Sequence, residues 1–175
     1  MNLLLGVMVG LALGGLMAVV VVVLAAAWNR PPLLTRERFD AQRAQWNQQG
    51  VADYDVEVHV TGRREATYAV SVREGVAVSA TIDGRPLRDR RTFATWSVPG
   101  MFETIERDLE TIERSSNREE PAAARLTLYA KFDSAYGFPD SYHRIVWGET
   151  AANADVTWSV KSFRPLPEPN STSME

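Results

Sequence analysis

The sequence predicts an α+β fold: a two-layer sandwich in which an antiparallel sheet of about six strands carries two helices, in the order α-βββ-α-βββ, preceded by one transmembrane helix. Three observations carry this reading. No Asp, Glu, Lys, Arg or His occurs between Met1 and Asn29. Short runs of period-two alternation recur between Gly-containing turns, the mark of half-buried strands. Two other segments place apolar residues on one face at helical spacing.

The uncharged run comes first. Leu3 to Trp28 as a helix would reach roughly 39 Å, more than the roughly 30 Å hydrocarbon core of a bilayer. A secretory signal is the alternative, with Ala25, Ala26 and Ala27 as small residues for cleavage. Such signals have a basic n-region and an apolar core of only about 7 to 15 residues, whereas Asn2 is the only polar residue ahead of this longer run. An uncleaved anchor fits better, with Trp28 as its interfacial aromatic. Gly6, Gly10 and Gly14 repeat every fourth residue, stacking on one face where a second helix can approach, although Gly is common in membrane helices generally. The expected organisation is an anchor over 1–30, a soluble domain over 31–164 and a disordered tail over 165–175, whose prolines and small polar residues cannot build a core. Arg30, Arg36, Arg38 and Arg43 follow the run and no basic side chain precedes it, so the positive-inside rule puts the domain in the cytoplasm.

Within the domain, Thr35 reads as an N-cap for a helix to Gln49, with Phe39 and Trp46 on one face and Gly50 as its stop. Tyr54, Val56, Val58 and Val60 alternate with polar residues in a first strand, and Tyr68, Val70 and Val72 continue the pattern in a second. Glu74-Gly75 is a tight turn into a third strand, with Val76, Val78, Ala80 and Ile82 expected on one face and Asp83-Gly84 ending it. Phe102, Ile105, Leu109 and Ile112 form the apolar stripe of a second helix from Pro99 to Arg114. Past a breaker at 117–121, Leu126, Leu128, Ala130 and Phe132 mark a fourth strand. Ile145 and Trp147 suggest a fifth, and Val156, Trp158 and Val160 a sixth. If both helices cover one sheet face, the other carries Glu57, His59, Ser71, Ser79, Thr127, Tyr129, Lys131, Thr157, Ser159 and Lys161, a polar face that fits either a docking surface or an ordinary solvated one.

The net charge of -3 and the pI near 5.5 argue against a nucleic-acid binder. With no Cys and two His, neither a disulfide framework nor a zinc site is indicated, and no cofactor is implied.

Several pieces together resemble a known family. They are Trp46, Gly50, Val51, Asp53 and Tyr54; the Gly75 turn with its Val-rich strand; Met101, Phe102 and Ile105 opening a helix; Tyr136-Gly137-Phe138-Pro139; and Trp158-Ser159-Val160 with Phe163. This set resembles the bacterial domain of unknown function 6174 over Phe39 to Phe163, most specifically in the Trp-to-Asp-Tyr segment and the Tyr-Gly-Phe-Pro loop. The resemblance implies a small envelope domain borne on a lipoprotein or behind a signal sequence, hence an extracytoplasmic setting, and no established activity. The chain departs from the family pattern where members have a cysteine pair near the end of the first strand, for it has Val60-Thr61-Gly62-Arg63 there and no Cys at all. No thiol chemistry carries over, and the apolar helix takes the place of a lipid anchor.

The resulting expectation is a single-pass, extracytoplasmic, non-enzymatic binding or accessory module. Its partners would be the lipid bilayer, a protein or envelope ligand, and a second copy met through Gly6, Gly10 and Gly14. Arg85, Arg88, Arg90 and Arg91 could meet an acidic partner or anionic headgroups. Since 17 of the 19 basic residues are Arg, a solvated turn drawn from that composition would look the same. Tyr136 and Phe138 either plug the end of the core or line a pocket. The alternative is an enzyme or metal-dependent site on the polar face around Asp55, Glu57 and His59, where a carboxylate could orient the imidazole.

Overall fold

Thr35 is extended, and its Oγ1 accepts a hydrogen bond from Arg38 N at 3.3 Å, which starts helix α1 (Arg36–Gln49). Gly50 ends it in the left-handed region at φ 63°. The chain then forms β1 (Tyr54–Gly62), β2 (Ala66–Arg73), β3 (Val76–Ile82), β4 (Arg85–Pro86), α2 (Val98–Ser116), β5 (Arg125–Phe132), β6 (Pro139–Trp147) and β7 (Val156–Pro165). The computed structural model describes residues 31–62, 64–116, 125–148 and 155–167. Among them no helix is long and apolar enough to cross a membrane. The run from Leu3 to Trp28, with Gly6, Gly10 and Gly14, lies outside the described residues, as do the breaker at 117–121 and the end of the tail.

All pairings in the sheet are antiparallel, in the order β4-β3-β2-β1-β7-β6-β5. Two meanders therefore meet at a β1–β7 seam. The sheet has seven strands where six were expected. The addition is β4, two residues that fold back on Thr81 and Ile82 after the Asp83-Gly84 turn. Asp83 at φ 50° and Gly84 at φ 76° give the mirror-image turn that suits a two-residue hairpin. Arg-Pro has no alternation to announce a strand, and Pro86, lacking an N–H, is tolerated at an edge.

Two bulges correct the expected faces. In β3 the register slips opposite Ser71 and Val72, so Ala77 pairs with Val72 and Val78 is the extra residue. Val76 and Val78 are consequently exposed, at 64% and 51%, while Ala80 stays in the core. In β7 the slip opposite Glu57 and Val58 makes Lys161 the extra residue. Trp158, Val160 and Phe163 thus all face inward, opposite Val60, Val58 and Val56. β6 is also turned over relative to expectation: Tyr142, Arg144 and Val146 oppose the inward Ala130, Leu128 and Leu126, and Ile145 and Trp147 point to the open face.

Helix α2 closes the core with Val98, Met101, Phe102, Ile105 and Leu109, all buried. It begins at Val98, one residue before the expected Pro99, because two side chains hold its first amides. Ser97 Oγ accepts from Gly100 N at 3.3 Å, and Tyr54 Oη from Val98 N at 3.0 Å. Burial pushes the Tyr54 hydroxyl up to about 12, so it stays a neutral phenol at physiological pH. Helix α1 is sparser, burying only Phe39 and Trp46. Phe39 meets Phe102 edge to face at 5.8 Å, and Trp46 meets Tyr54 likewise at 5.7 Å. The chain ahead of α1 runs along the β5 edge: Leu34 N donates to Leu128 O at 2.8 Å, and Ala130 N to Pro32 O at 3.1 Å. At the other end Leu166 N donates to Asp53 O at 2.8 Å, carrying ordered backbone just past Pro165.

Two substitutions test this packing. Tyr54→Phe leaves Val98 N–H buried without an acceptor and is expected to cost about 1–3 kcal/mol in urea unfolding followed by tryptophan fluorescence. Gly100→Ala, which in an ordinary helix would stabilise by about 0.5–1 kcal/mol, would drive a methyl carbon into the Ala94 carbonyl oxygen. It is expected to destabilise instead, by about 1–3 kcal/mol, and an unchanged or raised midpoint would contradict the close approach.

Candidate functional site

The face of the sheet away from the helices carries two shallow concavities that share Ser162. The first, of about 260 Å³, is walled by Asp55, Glu57, Ser71, Ser79, Thr81, Ser162 and Arg164. Strand register assembles it: Glu57 lies opposite Ser162, Asp55 opposite Arg164 and Ser71, and Ser71 opposite Ser79. The β7 bulge is what turns Ser162 and Arg164 outward. The second, of about 250 Å³, lies beside it where β7 passes the 133–140 corner, with Asp133, Asp140, Lys161 and Ser162 as its polar wall and Tyr136, Phe138, Val160 and Phe163 as its apolar one. Together they form a polar trough of hydroxyls, carboxylates and two cationic side chains.

Its electrostatics are set by pairing. Burial pushes the Asp55 carboxyl up, but hydrogen bonds from Arg73 and Ser71 and the charges of Arg73 and Arg164 outweigh it and leave the group below its usual range. The Arg73 bond to Asp55 Oδ1 is 2.9 Å long, and the same guanidinium donates to the Tyr54 and Val72 carbonyls. Asp140 is shifted the other way, mainly by burial, with Lys131 at 4.0 Å opposing the shift. Such a surface can recognise a ligand by hydrogen bonds and charge.

Asp55, Glu57 and His59 share the open face, as expected. They occupy successive outward positions about 7 Å apart, and each has other company. His59 Nδ1 lies 3.2 Å from Thr67 Oγ1, and its Nε2 3.3 Å from Glu65 Oε1. His59 is not among the residues walling the trough, and among the described residues no cluster of three or more His, Asp or Glu is placed to hold a metal ion. The structure puts the three residues on one face without bringing them to one site.

Phe138 is buried, 4.5 Å from Phe163, and Tyr136 is half-buried against both rings. Asp133 Oδ1 accepts from Ala135 N at 2.9 Å and Tyr136 N at 2.7 Å to form the corner. Gln45 and Gln49 of α1 donate to the Ala135 carbonyl. Gly137 sits at φ 81°, and a Cβ there would come within 2.9 Å of Gln42 O. The two aromatics thus plug the end of the core while their rims border the trough. Arg85, in β4, and Arg88 and Arg90 beyond it are exposed and make no ion pair among the described residues. Arg90 and Arg91 belong to a 3₁₀ turn, Arg90–Thr92. Since Thr81 walls the trough and pairs with Pro86, this arginine-bearing segment leaves the sheet at the trough's rim.

One polar cluster was not singled out from the sequence. Tyr142 Oη donates to Asp108 Oδ2 at 2.7 Å, and Arg144 Nη1 to Asp108 Oδ1 at 3.3 Å. Burial first, then the Asp108 carboxylate, push the Tyr142 hydroxyl far above the ordinary phenol range, so it remains a donor. The cluster clamps α2 to β6. The available signals were an Asp one position from Leu109 in an apolar stripe and an Arg at period two between Tyr142 and Val146.

Because Asp55 is held below its ordinary pKa, the stability it contributes is present above the unfolded carboxylate value of about 3.9 and is lost as pH falls through the lower folded value. Wild type is therefore expected to exceed Asp55→Asn in thermal midpoint at pH 7 and to lose that advantage progressively as pH is lowered below about 3.9. A pH-independent difference would mean that Asp55 acts by shape alone.

No curated protein matches the chain. A family model described as a family of unknown function (DUF6174) matches residues 38–165, which takes in α1 from its third residue, all of α2 and all seven strands. The chain belongs to the family of unknown function DUF6174.

Proposed function

We propose that the chain is a single-pass, membrane-anchored, extracytoplasmic binding module that takes a protein or envelope ligand through its polar trough and the adjoining arginines. The observation that carries the binding reading is the trough itself: a sheet face left uncovered by the helices, with paired charges and hydroxyls in register and Arg85, Arg88 and Arg90 free at its rim among the described residues. The uncharged run ahead of the domain supports the anchor. The envelope setting implied by the family resemblance supports the outer side and is preferred to the arginine count, because Arg36 and Arg43 are engaged in the folded domain with Glu113 and Glu106.

Reporters fused after Glu175 test the placement. One that works only outside the cytoplasm is expected to be active and a cytoplasm-only one silent, and the reverse pattern would overturn it. A photoreactive residue at Ser162 is expected to give a discrete adduct in cells, weakened several-fold by joint Arg88→Glu and Arg90→Glu. An adduct insensitive to those reversals would remove the arginines from the site.

A further inference from the structure

Asn29, Arg30 and Pro31 alone separate Trp28, the last residue of the apolar run, from Pro32, whose carbonyl accepts from Ala130 of β5. An extended chain advances at most about 3.6 Å per residue, so Leu33 can lie no more than about 18 Å from Trp28. The headgroup layer on each side of the hydrocarbon is about 5–8 Å thick. A run anchored in a bilayer would thus leave the Leu33 end of the β5 edge within chain-length reach of the headgroups, whichever side the domain is on.

The surface at that edge is of a kind the headgroup layer accepts. Leu33, 58% exposed, lies opposite Tyr129 in an antiparallel bridge. Trp147, 57% exposed, donates from Nε1 to Thr127 Oγ1 at 3.0 Å. Thr127 and Tyr129 are successive outward positions of β5, and Ile145 lies opposite Thr127. Exposed Arg125 stands across from Trp147, and exposed Lys131 is the next outward position beyond Tyr129. Among the described residues the nearby acids are engaged: Asp140 lies 4.0 Å from Lys131, and Asp155 Oδ1 accepts from Val146 N. Asp55 and Glu57 are three strands away on β1. Amphipathic Trp and Tyr with an exposed Leu and flanking basic residues is an interfacial composition, on a sheet edge where exposed apolar groups facing water would invite aggregation.

We infer that Leu33, Tyr129 and Trp147 seat the β5 edge in the headgroup layer of the bilayer that holds the chain's own anchor. This rests on the anchoring proposed above. It also assigns the arginines: β4 lies six strand spacings from β5, about 29 Å, so with the β5 edge down Arg85, Arg88 and Arg90 are presented to an acidic partner beyond the membrane surface.

The chain has no Cys, so single cysteines can be introduced and labelled in the full-length protein. Leu33→Cys, Trp147→Cys and, on the far side of the sheet, Val78→Cys would each carry an environment-sensitive fluorophore after reconstitution in phosphatidylcholine–phosphatidylglycerol vesicles. Emission at 33 and 147 is expected to be blue-shifted and at least two-fold more strongly quenched by lipid-borne spin labels than at 78. Water-like emission at 33 and 147, in protein that resists carbonate extraction, would overturn the seating and leave the anchor standing. Blue-shifted emission that lipid quenchers do not reach, and that weakens on dilution of the protein, would assign the edge to a second copy and overturn it too. Protein released by carbonate would remove the anchor and the seating together.

Discussion

The pairing of β1 with β7 is the contact on which the rest of the molecule depends. It joins two meanders that otherwise share no ladder. On its inner side, Tyr54, Val56 and Val58 of β1 are buried, and full burial of an aliphatic side chain contributes roughly 1.5–3 kcal/mol. Tyr54 also reaches α2 through its hydroxyl and α1 through Trp46, while Phe163 of β7 touches Trp46, Tyr136 and Phe138. Helices, corner and both meanders thus converge on one seam. On its outer side the same seam builds the trough, because the bulge that keeps Phe163 inward turns Ser162 and Arg164 out beside Glu57 and Asp55.

The two helices are held by different means. α2 lays a continuous apolar stripe on the sheet, whereas α1 relies on Phe39 and Trp46 with the glutamines that grip the corner. Its ion pairs to α2, Arg36–Glu113 and Arg43–Glu106 at 2.8 Å each, lie at the surface, where solvent screens such pairs and they add little. Both arginines also lie about 6 Å from the centre of the Phe39 ring, where their side chains cover that aromatic.

What could be read from the sequence followed from strong local chemistry. Thr35 and Gly50 delimit α1, the Glu74-Gly75 and Asp83-Gly84 turns fall where expected, and β1 and β5 alternate cleanly. What could not be read depends on long-range register. Val76 and Val78 keep perfect period two with Ala80, yet a bulge set by Ser71 and Val72 of the neighbouring strand turns them to solvent. Ile145 and Trp147 look like an inward pair until the partner strand shows that Arg144 belongs inside, where Asp108 meets it. The open face was legible as a whole, including Glu57, His59, Ser71 and Ser79. Its trough was not, because Ser162 and Arg164 are outward only through the slip at Lys161, and the same logic explains why adjacency of Asp55, Glu57 and His59 along one strand did not make them a site.

The seam also has a temporal meaning. β1 emerges early in synthesis, but its second partner is encoded about a hundred residues downstream, near the end of the domain. Until then one edge of the future central strand stays open, in a topology of high contact order that folds slowly. For a chain delivered N-terminus first, completion of the sheet is a late event, and factors that guard nascent or translocating chains would find β1 the segment most in need of shelter.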